Sequence, residues 1–537
     1  MIGIKTEQDI PVPMRDGLKL SANVYRPDGP GQYPVIMAFT GFGKDGLWSA
    51  KHFGWQIAYE PCSPTVTGSI TFEANDPAFW IPHEYVVIIV DPRGFGRSPG
   101  HMPTADLDGA VGEQALIYQG LWARDMYDAI EWAGTQEWSN GNVGLSGVSI
   151  LGFSQWRVAG LNPPHLKAIN PWEAMTDFYR DVIFPGGIPE TRFTNPKGHI
   201  TSSMSTRNPA WAGPEKEDPP IAVEKAEDEF LGDITVPALI CGTWADHGVH
   251  TRGSFRAFRK ISSRQKWLYT HGRQKWAEFY AAEASTFRKL FFDHFLKGTD
   301  NRILGIPRVR LEVRETLDKY SVRWEDDFPL PRTEYRKLYL DATDRRLKFG
   351  PNSREQAVSY DSAHGKAEFV FTFEEDTELT GYMNLKLWVS PDKSNDMDLF
   401  ITLRKLSRDG IQVYFDNCHV PGRWPLALGW LRLSHRELDR EKSTPWEPYP
   451  KSVVGPEKKV KPGEVVLCEI PILPSSTLFR KGETLKLDIS GAFQGGEAKD
   501  APFAYTNTVN KGTHSIYAGG KFDSCLLIPV VPPVAKG

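Results

Sequence analysis

Two short, unbroken apolar runs constrain the fold more than any other feature of this sequence. They are Tyr-Pro-Val-Ile-Met-Ala-Phe at 33–39 and Tyr-Val-Val-Ile-Ile-Val at 85–90. Short runs rich in β-branched residues are typical of strands buried on both faces, as in a parallel sheet. Further strand patterns alternate with helical patterns up to about residue 300, at 141–147, 167–172, 237–242 and 266–270. The first part of the chain is therefore predicted to be an α/β domain.

The remaining sequence divides into an insertion and a second domain. At 537 residues the chain is too long for one compact unit. Residues 173–230 interrupt the alternation with amphipathic pieces around a Pro/Gly-rich middle, which we interpret as an inserted helical cap. From about residue 308 short β-rich segments separated by turns predict a β-sandwich. The predicted domains are 1–306, with the cap inside it, and 307–537.

Charge and composition exclude several functions. The chain has 63 basic and 67 acidic residues, so it has no basic excess for binding nucleic acid. The sequence contains no run of 18 apolar residues, so no membrane span is predicted. The first residues do not have the pattern of a secretory signal. Five scattered cysteines without a CxxC pair are typical of reduced thiols, so a cytoplasmic location is expected.

The clearest chemical motif is Gly147-Val148-Ser149. A strand pattern leads into it and a helix pattern follows, which is the layout of a nucleophile elbow. Small neighbours are needed there because the backbone turns sharply. The second glycine of the usual motif would stand at 151, where this chain has Leu151, and Gly152 follows one position later. A serine in an ordinary glycine-rich turn is the competing interpretation.

A nucleophilic serine needs a base, and the base needs an orienting carboxylate. In α/β-hydrolases these follow the serine in the order acid, then histidine, each in a loop after a strand. The strand pattern at 238–242 is followed by Asp246, and the pattern at 267–270 is followed by His271. Position, order and residue type therefore predict Asp246 as the acid and His271 as the base.

Other histidine and glycine clusters have alternative interpretations as metal, packing or phosphate sites. Asp246-His247-Gly248-Val249-His250 looks like a metal cluster but lacks the further ligand spacing of a closed site, so no metal is predicted. His294 lies in an aromatic helix pattern, which favours packing. The glycine-rich segment 94–100 has no Gly-Lys-Ser/Thr sequence and does not predict a phosphate site.

Several longer motifs resemble the cocaine esterase / Xaa-Pro dipeptidyl-peptidase (CocE/NonD) family of serine hydrolases, over nearly the whole chain. They include Asp91-Pro92-Arg93-Gly94-Phe95-Gly96-Arg97-Ser98, Gly147-Val148-Ser149-Ile150-Leu151-Gly152, Phe291-Phe292-Asp293-His294-Phe295-Leu296-Lys297-Gly298 and Gly429-Trp430-Leu431-Arg432-Leu433-Ser434. The resemblance implies a doubly wound α/β-hydrolase sheet with a helical cap, followed by a C-terminal jelly-roll β-sandwich.

The resemblance also implies roles for individual residues. The family nucleophile, acid and base map onto Ser149, Asp246 and His271. Expected oxyanion positions are the Ile150 N–H and the place of the family's tyrosine, where this chain has Phe42. A phenylalanine ring cannot donate a hydrogen bond, so one oxyanion donor is missing or replaced. The residues predicted to line the substrate pocket are Trp172, Tyr179 and Trp244.

Three functions follow as hypotheses. The first is hydrolysis of an ester or amide of a small-molecule or short peptide-like substrate through an acyl-enzyme. The second is non-hydrolytic acyl transfer, cyclisation or elimination, suggested by Phe42. The third is a binding protein with a degenerate site. No cofactor, nucleic acid or membrane is expected as a partner, and a homodimer is one open assembly state.

Overall fold

The structure is a computed structural model that describes residues 3–45, 71–100, 120–193, 229–418, 422–451, 457–495 and 503–533. Its first ten strands are β1 (Ile4–Pro13), β2 (Lys19–Pro27), β3 (Tyr33–Phe39), β4 (Val86–Val90), β5 (Ser139–Val148), β6 (Leu166–Trp172), β7 (Ala238–Thr243), β8 (Lys266–His271), β9 (Val309–Arg314) and β10 (Tyr320–Glu325). The helices are α1 (Pro77–Trp80), α2 (Leu121–Gly134), α3 (Ile150–Gly160), α4 (Thr251–Lys260), α5 (Lys275–Phe279) and α6 (Ala282–Lys297).

These ten strands pair side by side in the order β1-β2-β4-β3-β5-β6-β7-β8-β9-β10. All neighbours from β4 to β9 are parallel, and the two antiparallel ends are β1-β2-β4 and β9-β10. Parallel neighbours need crossover connections, and helices supply them, as in α/β proteins. The α/β arrangement predicted from the alternating patterns is therefore present.

The apolar runs are continuous because both faces of the sheet are covered. Along β3, Val35, Met37 and Phe39 pack into one apolar core, which also contains Met126 and Ile130 of α2. Ile36 and Ala38 of the same strand pack into a second core on the opposite face, which α6 covers. Successive side chains on a strand point to opposite faces, so a strand with apolar layers on both sides has no polar position.

Parallel strands also bring distant residues to one edge of the sheet. Ser149 follows β5 directly, Glu173 follows β6, and Asp246 lies three residues after β7. His271 is the last residue of β8 and pairs with Thr243 at the end of β7. The carboxyl ends of these neighbouring strands lie together, which is where open α/β sheets carry their ligand sites.

The C-terminal strands form a second β-rich region with its own apolar core. They are β11 (Glu334–Asp341), β12 (Arg346–Lys348), β13 (Gln356–Asp361), β14 (Lys366–Thr372), β15 (Thr377–Pro391), β16 (Asp398–Leu406), β17 (Gln412–Val413), β18 (Ala427–Arg432), β19 (Val466–Phe479), β20 (Thr484–Ser490), β21 (Thr513–Ala518) and β22 (Cys525–Val531). The jelly-roll connection of these strands and the domain boundary at 306/307 stay predictions. Strand β9, just after that boundary, extends the first sheet by pairing with β8.

The helical cap expected at 173–230 falls largely on residues 194–228, which lie outside the described part of the chain. The described part contains a π-helical turn, Tyr179–Ile183, and a 3₁₀ turn, Pro185–Gly187. Both turns pack against the C-terminal region, where Val182 and Ile188 share an apolar cluster with residues such as Trp430. The helical cap therefore also stays a prediction.

No helix in the described ranges has the length and the apolar character needed to cross a membrane.

Gly186, in the segment 173–193, packs tightly against Trp430 of the C-terminal strands. Its φ is +63°, and a Cβ built there would lie 2.1 Å from the carbonyl oxygen of Trp430. Both the left-handed backbone and the contact with a main-chain atom therefore require glycine.

Gly186→Ala is expected to lower the free energy of unfolding by about 1–3 kcal/mol, because the added methyl group forces the two segments apart. Thermal and urea unfolding followed by circular dichroism measure the change. Gly305→Ala is the matched control, since Gly305 has no positive φ and a Cβ there meets nothing within 4 Å. Equal stability of the two variants would show that this contact is not tightly packed.

Candidate active site

Ser149 occupies a strained turn between β5 and α3. Its φ is +57° and its ψ is −119°, which is rare for a residue with a side chain. The turn is held by the Ser149 N–H, which donates to the carbonyl of Trp172 at 3.0 Å. Backbone strain of this kind is concentrated at functional sites, where the surrounding structure holds it in place. This is the geometry of the elbow expected from the sequence.

Two glycines leave room for this turn. A Cβ on Gly147 would lie 2.5 Å from the Cβ of Leu151. A Cβ on Gly152 would lie 3.0 Å from the carbonyl oxygen of Gly147 and 3.1 Å from that of Trp172. The glycine displaced to position 152 is thus required by close packing between α3 and the ends of β5 and β6.

The Ser149 hydroxyl contacts His250. Ser149 Oγ lies 3.0 Å from His250 Nε2, and the other ring nitrogen, Nδ1, is hydrogen-bonded to Asp246 Oδ2. An ionised carboxylate only accepts, so Nδ1 carries the proton and Nε2 accepts from the serine. A hydroxyl bonded to an imidazole that a carboxylate orients can be activated as a nucleophile.

The local chain after β7 brings Asp246 and His250 together. The N–H groups of Val249, His250 and Thr251 all point to the carbonyl oxygen of Asp246, at 3.4, 3.3 and 3.3 Å. This closes one tight turn immediately before α4. Residues four apart on such a turn lie on the same side, so the two side chains meet.

The structure differs from the sequence prediction in the histidine that faces Ser149. His271, predicted as the base, is fully buried at the end of β8, and its Nε2 lies 2.9 Å from Glu173 Oε1. Its Nδ1 accepts from the N–H of Arg273 at 3.3 Å, so Nε2 carries the proton and donates to Glu173. The ring also stacks on Trp172, with centroids 6.1 Å apart. His250 instead reaches the serine, because α4 begins right beside the elbow.

Burial sets the protonation of both histidines. It lowers the pKa of His250 below its ordinary value of 6.5, against the opposing charge of Asp246, and the positive charge of Lys275 lowers it further. Burial lowers the pKa of His271 to about 3. Both rings are therefore neutral near neutral pH. His250 can accept a proton from Ser149 in that state.

Lys275 is the buried cation of this site. Its Nζ lies 3.2 Å from Glu73 Oε1. Burial lowers the pKa of Lys275, but the charges of Glu73 and Asp246 outweigh burial and raise it overall. The ammonium group thus stays charged and compensates part of the negative charge collected at the strand ends.

The C-terminal region also reaches the site, through Cys418. The Cys418 N–H donates to the carbonyl oxygen of Ala245 at 2.8 Å, and its buried thiol lies close enough to Asp246 to be affected by that charge. Burial, followed by the charge of Asp246, raises the pKa of the thiol well above its ordinary value. The thiol is therefore neutral and can donate to the carboxylate from the side of the β-rich region.

The predicted oxyanion residues lie at the two expected chain positions. Ile150 is the first residue of α3, where helical N–H groups have no intrahelical partner. Phe42 follows β3, and its ring packs edge-on against Phe72 at 4.8 Å. The Phe42 N–H donates to Thr40 Oγ1 at 3.1 Å.

Two of the three predicted pocket residues pack in the interior. Trp172 is fully buried beneath the His271 ring. Trp244 is fully buried and stacks on Phe255 with centroids 4.6 Å apart. Both side chains are covered by other rings and belong to the core. The prediction that Trp172 and Trp244 line the substrate pocket is therefore corrected. Tyr179 begins the π-helical turn, and its side chain lies outside what the structure describes.

Two overlapping groups of side chains have metal-ligating chemistry. One is Glu173, Cys241 and His271, and the other is Glu173, Asp246 and His250. In each group the ligand atoms lie within 4.8 Å of one another. Both nitrogens of each imidazole already take part in hydrogen bonds with protein groups. A metal ion would have to displace these bonds, so the geometry favours proton transfer over metal binding.

The contacts of His250 with Ser149 and of Glu173 with His271 are not predicted from the sequence. There His250 is considered only as part of the metal-like cluster 246–250. The Asp-x-x-x-His spacing directly before a helix was the available signal, since a turn brings such residues together. Glu173 follows a predicted strand end, the same placement that pointed to Asp246 and His271.

Comparisons with known proteins identify relatives of this chain. Residues 16–219 match the family described as X-Pro dipeptidyl-peptidase (S15 family), and residues 301–527 match the X-Pro dipeptidyl-peptidase C-terminal non-catalytic domain. The chain is 29% identical over 395 residues to a cocaine esterase from Rhodococcus sp. (strain MB1 Bresler), with 62% of this chain and 62% of that protein covered. The match thus spans less than two thirds of the cocaine esterase.

Solved structures extend the similarity to nearly the full length. A CocE/NonD family hydrolase from Staphylococcus aureus is 39% identical, with a TM-score of 0.89 and coverage of 99% of this chain and 97% of that one. An α-amino acid ester hydrolase is 16% identical, with a TM-score of 0.70 and coverage of 98% and 96%, and is similar in fold alone. The chain therefore belongs to the CocE/NonD family of hydrolases and is a serine hydrolase with an α/β-hydrolase fold.

Proposed function

We propose that the protein hydrolyses an ester or amide bond of a small-molecule or short peptide-like substrate through a covalent acyl-enzyme. One observation carries the proposal, namely the 3.0 Å contact between Ser149 Oγ and His250 Nε2, with Asp246 bonded to the far side of the ring. A strained serine at the start of a helix, beside a neutral imidazole, supports nucleophilic attack on a carbonyl group.

Each residue has a defined part in the proposed reaction. His250 takes the Ser149 proton as the hydroxyl attacks the carbonyl carbon, and then gives it to the leaving alcohol or amine. Asp246 holds the imidazole in the tautomer with a free Nε2 and stabilises the cation that forms. Water, activated by His250, then attacks the acyl-enzyme and releases the acid.

The negative oxygen that forms during each attack needs hydrogen-bond donors. The Ile150 N–H at the start of α3 supports this role, because it follows the nucleophile and has no intrahelical partner. Phe42 has no ring donor, and its own N–H is engaged by Thr40. We propose Ile150 as the main-chain donor at this site.

The names of the relatives support a substrate class. They are cocaine esterase and X-Pro dipeptidyl-peptidase. We therefore propose substrates whose scissile carbonyl belongs to a compact ester or to a short peptide-like amide. A panel of aryl esters and Xaa-Pro anilides, assayed at equal concentration, separates the two.

Ser149→Ala is expected to abolish covalent labelling by a fluorophosphonate probe and to abolish ester turnover, because the nucleophile is removed. Labelling is read by intact-protein mass spectrometry. Ser154→Ala is the matched control on the same helix, and it should label as the wild type does. Undiminished labelling of the Ser149→Ala protein would refute the proposed nucleophile.

Replacing the two buried histidines separately tests which one is the base. His250→Gln should lower kcat by about 10⁴-fold or more, as loss of a triad member does. His271→Gln should have a much smaller effect, since its ring contacts Glu173 rather than Ser149. Steady-state kinetics on one aryl ester measure both. The opposite ranking would restore His271 as the base.

The activity should persist to lower pH than an ordinary histidine permits. Burial lowers the pKa of His250 below 6.5, so the ring stays a neutral base as the pH falls through 6.5 and is protonated only below it. The acid limb of kcat/KM is expected to reach half its plateau below pH 6.5. A midpoint at or above 6.5 in the pH profile would contradict this electrostatic environment.

A further inference from the structure

A second carboxyl group, that of Glu173, lies beside the proposed acid and base. One carboxyl oxygen of Glu173, one of Asp246 and one ring nitrogen of His250 all lie within 4.8 Å of one another. The Glu173 side chain has no solvent exposure. Charged side chains are rarely buried without a partner of opposite charge, so this carboxyl calls for a physical explanation.

The position of Glu173 is held by two hydrogen bonds, and its backbone is strained. Its Oε1 accepts from His271 Nε2 at 2.9 Å, and its N–H donates to the carbonyl of Cys241 at 3.1 Å. Its φ is +47°, so the backbone is strained as it is at Ser149. The fold therefore keeps a strained, buried residue at a fixed place next to the reacting groups.

Burial and the surrounding charges act together on this carboxyl. Asp246, Glu73 and Glu278 are the anions that act on Glu173, and Lys275 is the opposing cation. Burial, followed by the charge of Asp246, raises the pKa of Glu173 well above its usual range. Two carboxyl groups this close in a buried site do not both ionise readily, which favours the protonated form of Glu173, while Asp246 is bonded to the His250 ring.

Resting on the proposed function, we propose that Glu173, fixed by His271, is a positioning residue that packs as a neutral carboxyl against the Asp246–His250 pair and keeps the imidazole aligned with Ser149. His271 acts through Glu173 and does not exchange protons with the substrate. Its neutral ring donates one hydrogen bond to Glu173 and accepts one from the Arg273 N–H, and these two bonds hold the Glu173 carboxyl in place. His271, which the sequence predicts as the base, thus has a positioning role in this proposal.

The proposal is tested by one substitution that keeps the shape and polarity of a neutral Glu173 side chain and by one that removes the side chain. Glu173→Gln keeps the shape, the polarity and the neutral form, so kcat should fall by less than about fivefold. Glu173→Ala removes the contact, and kcat should fall by about 10²-fold with KM nearly unchanged, because small misplacements of a reacting group cost about this much. Rescue of kcat by Gln relative to Ala is the expected signature.

A matched control comes from another glutamate–histidine pair in the same domain. Glu131 on α2 accepts from the N–H and Nδ1 of His165, at 3.0 and 2.8 Å, outside the site. Glu131→Gln and Glu131→Ala should leave kcat unchanged and affect only the thermal midpoint. If Glu173→Ala does not fold by circular dichroism, Glu173→Met, which keeps the volume, replaces it.

Two results would overturn the proposal. If Gln is as damaging as Ala, Glu173 is needed in its ionised form, as the negatively charged acceptor of the His271 hydrogen bond. If Ala is as active as the wild type, Glu173 has no positioning role. Fluorophosphonate labelling of Ser149 in each variant separates these results from failure of the proposed function, which would show as unlabelled wild-type protein.

Discussion

The site depends on one backbone constraint, the sharp turn at Ser149. A side-chain-bearing residue at φ +57° persists only if its neighbours hold it there. The Trp172 carbonyl binds its N–H, and Gly147 and Gly152 leave the space that the turn needs. The same turn starts α3 and exposes the Ile150 N–H. The turn at Ser149 therefore sets the position of the hydroxyl, the position of the proposed oxyanion donor and the packing of α3.

The parallel sheet supplies the second ingredient by collecting polar residues at the ends of β6, β7 and β8. Glu173, Asp246 and His271 come from separate parts of the chain, and none of these three side chains is exposed to solvent. Burial makes each extra charge costly, so it favours the neutral forms of the buried carboxyl and imidazole groups. Burial lowers the pKa of His250 and His271 and raises the pKa of Glu173, and the charge of Lys275 balances part of the remaining negative charge. The protonation pattern is a property of the cluster and not of any single residue.

The sequence predicts the sheet edge that carries the site, whereas the structure brings a different histidine, His250, to Ser149. Strand ends predict which residues reach the sheet edge, and Ser149, Asp246 and His271 all lie there. Whether an imidazole meets a hydroxyl depends on side-chain direction, which spacing along the chain does not determine. The turn after Asp246 carries His250 to the serine, while the His271 ring faces Glu173. Trp172 and Trp244 show the same limit, since a tryptophan near a site is equally suited to the core.

The sequence by itself determined the α/β layout, the elbow at Ser149 and the family, because these depend on local periodicity, on glycine sterics and on long shared motifs. Only the tertiary structure decided which histidine faces the serine, which carboxyl lies beside the Asp246–His250 pair, and that Cys418 of the C-terminal region binds the carbonyl of Ala245 next to the acid. These outcomes depend on distances of a few ångströms between residues that are far apart in the chain. Hydrogen bonds and electrostatic effects at that range follow from packing, which no single segment of the sequence encodes.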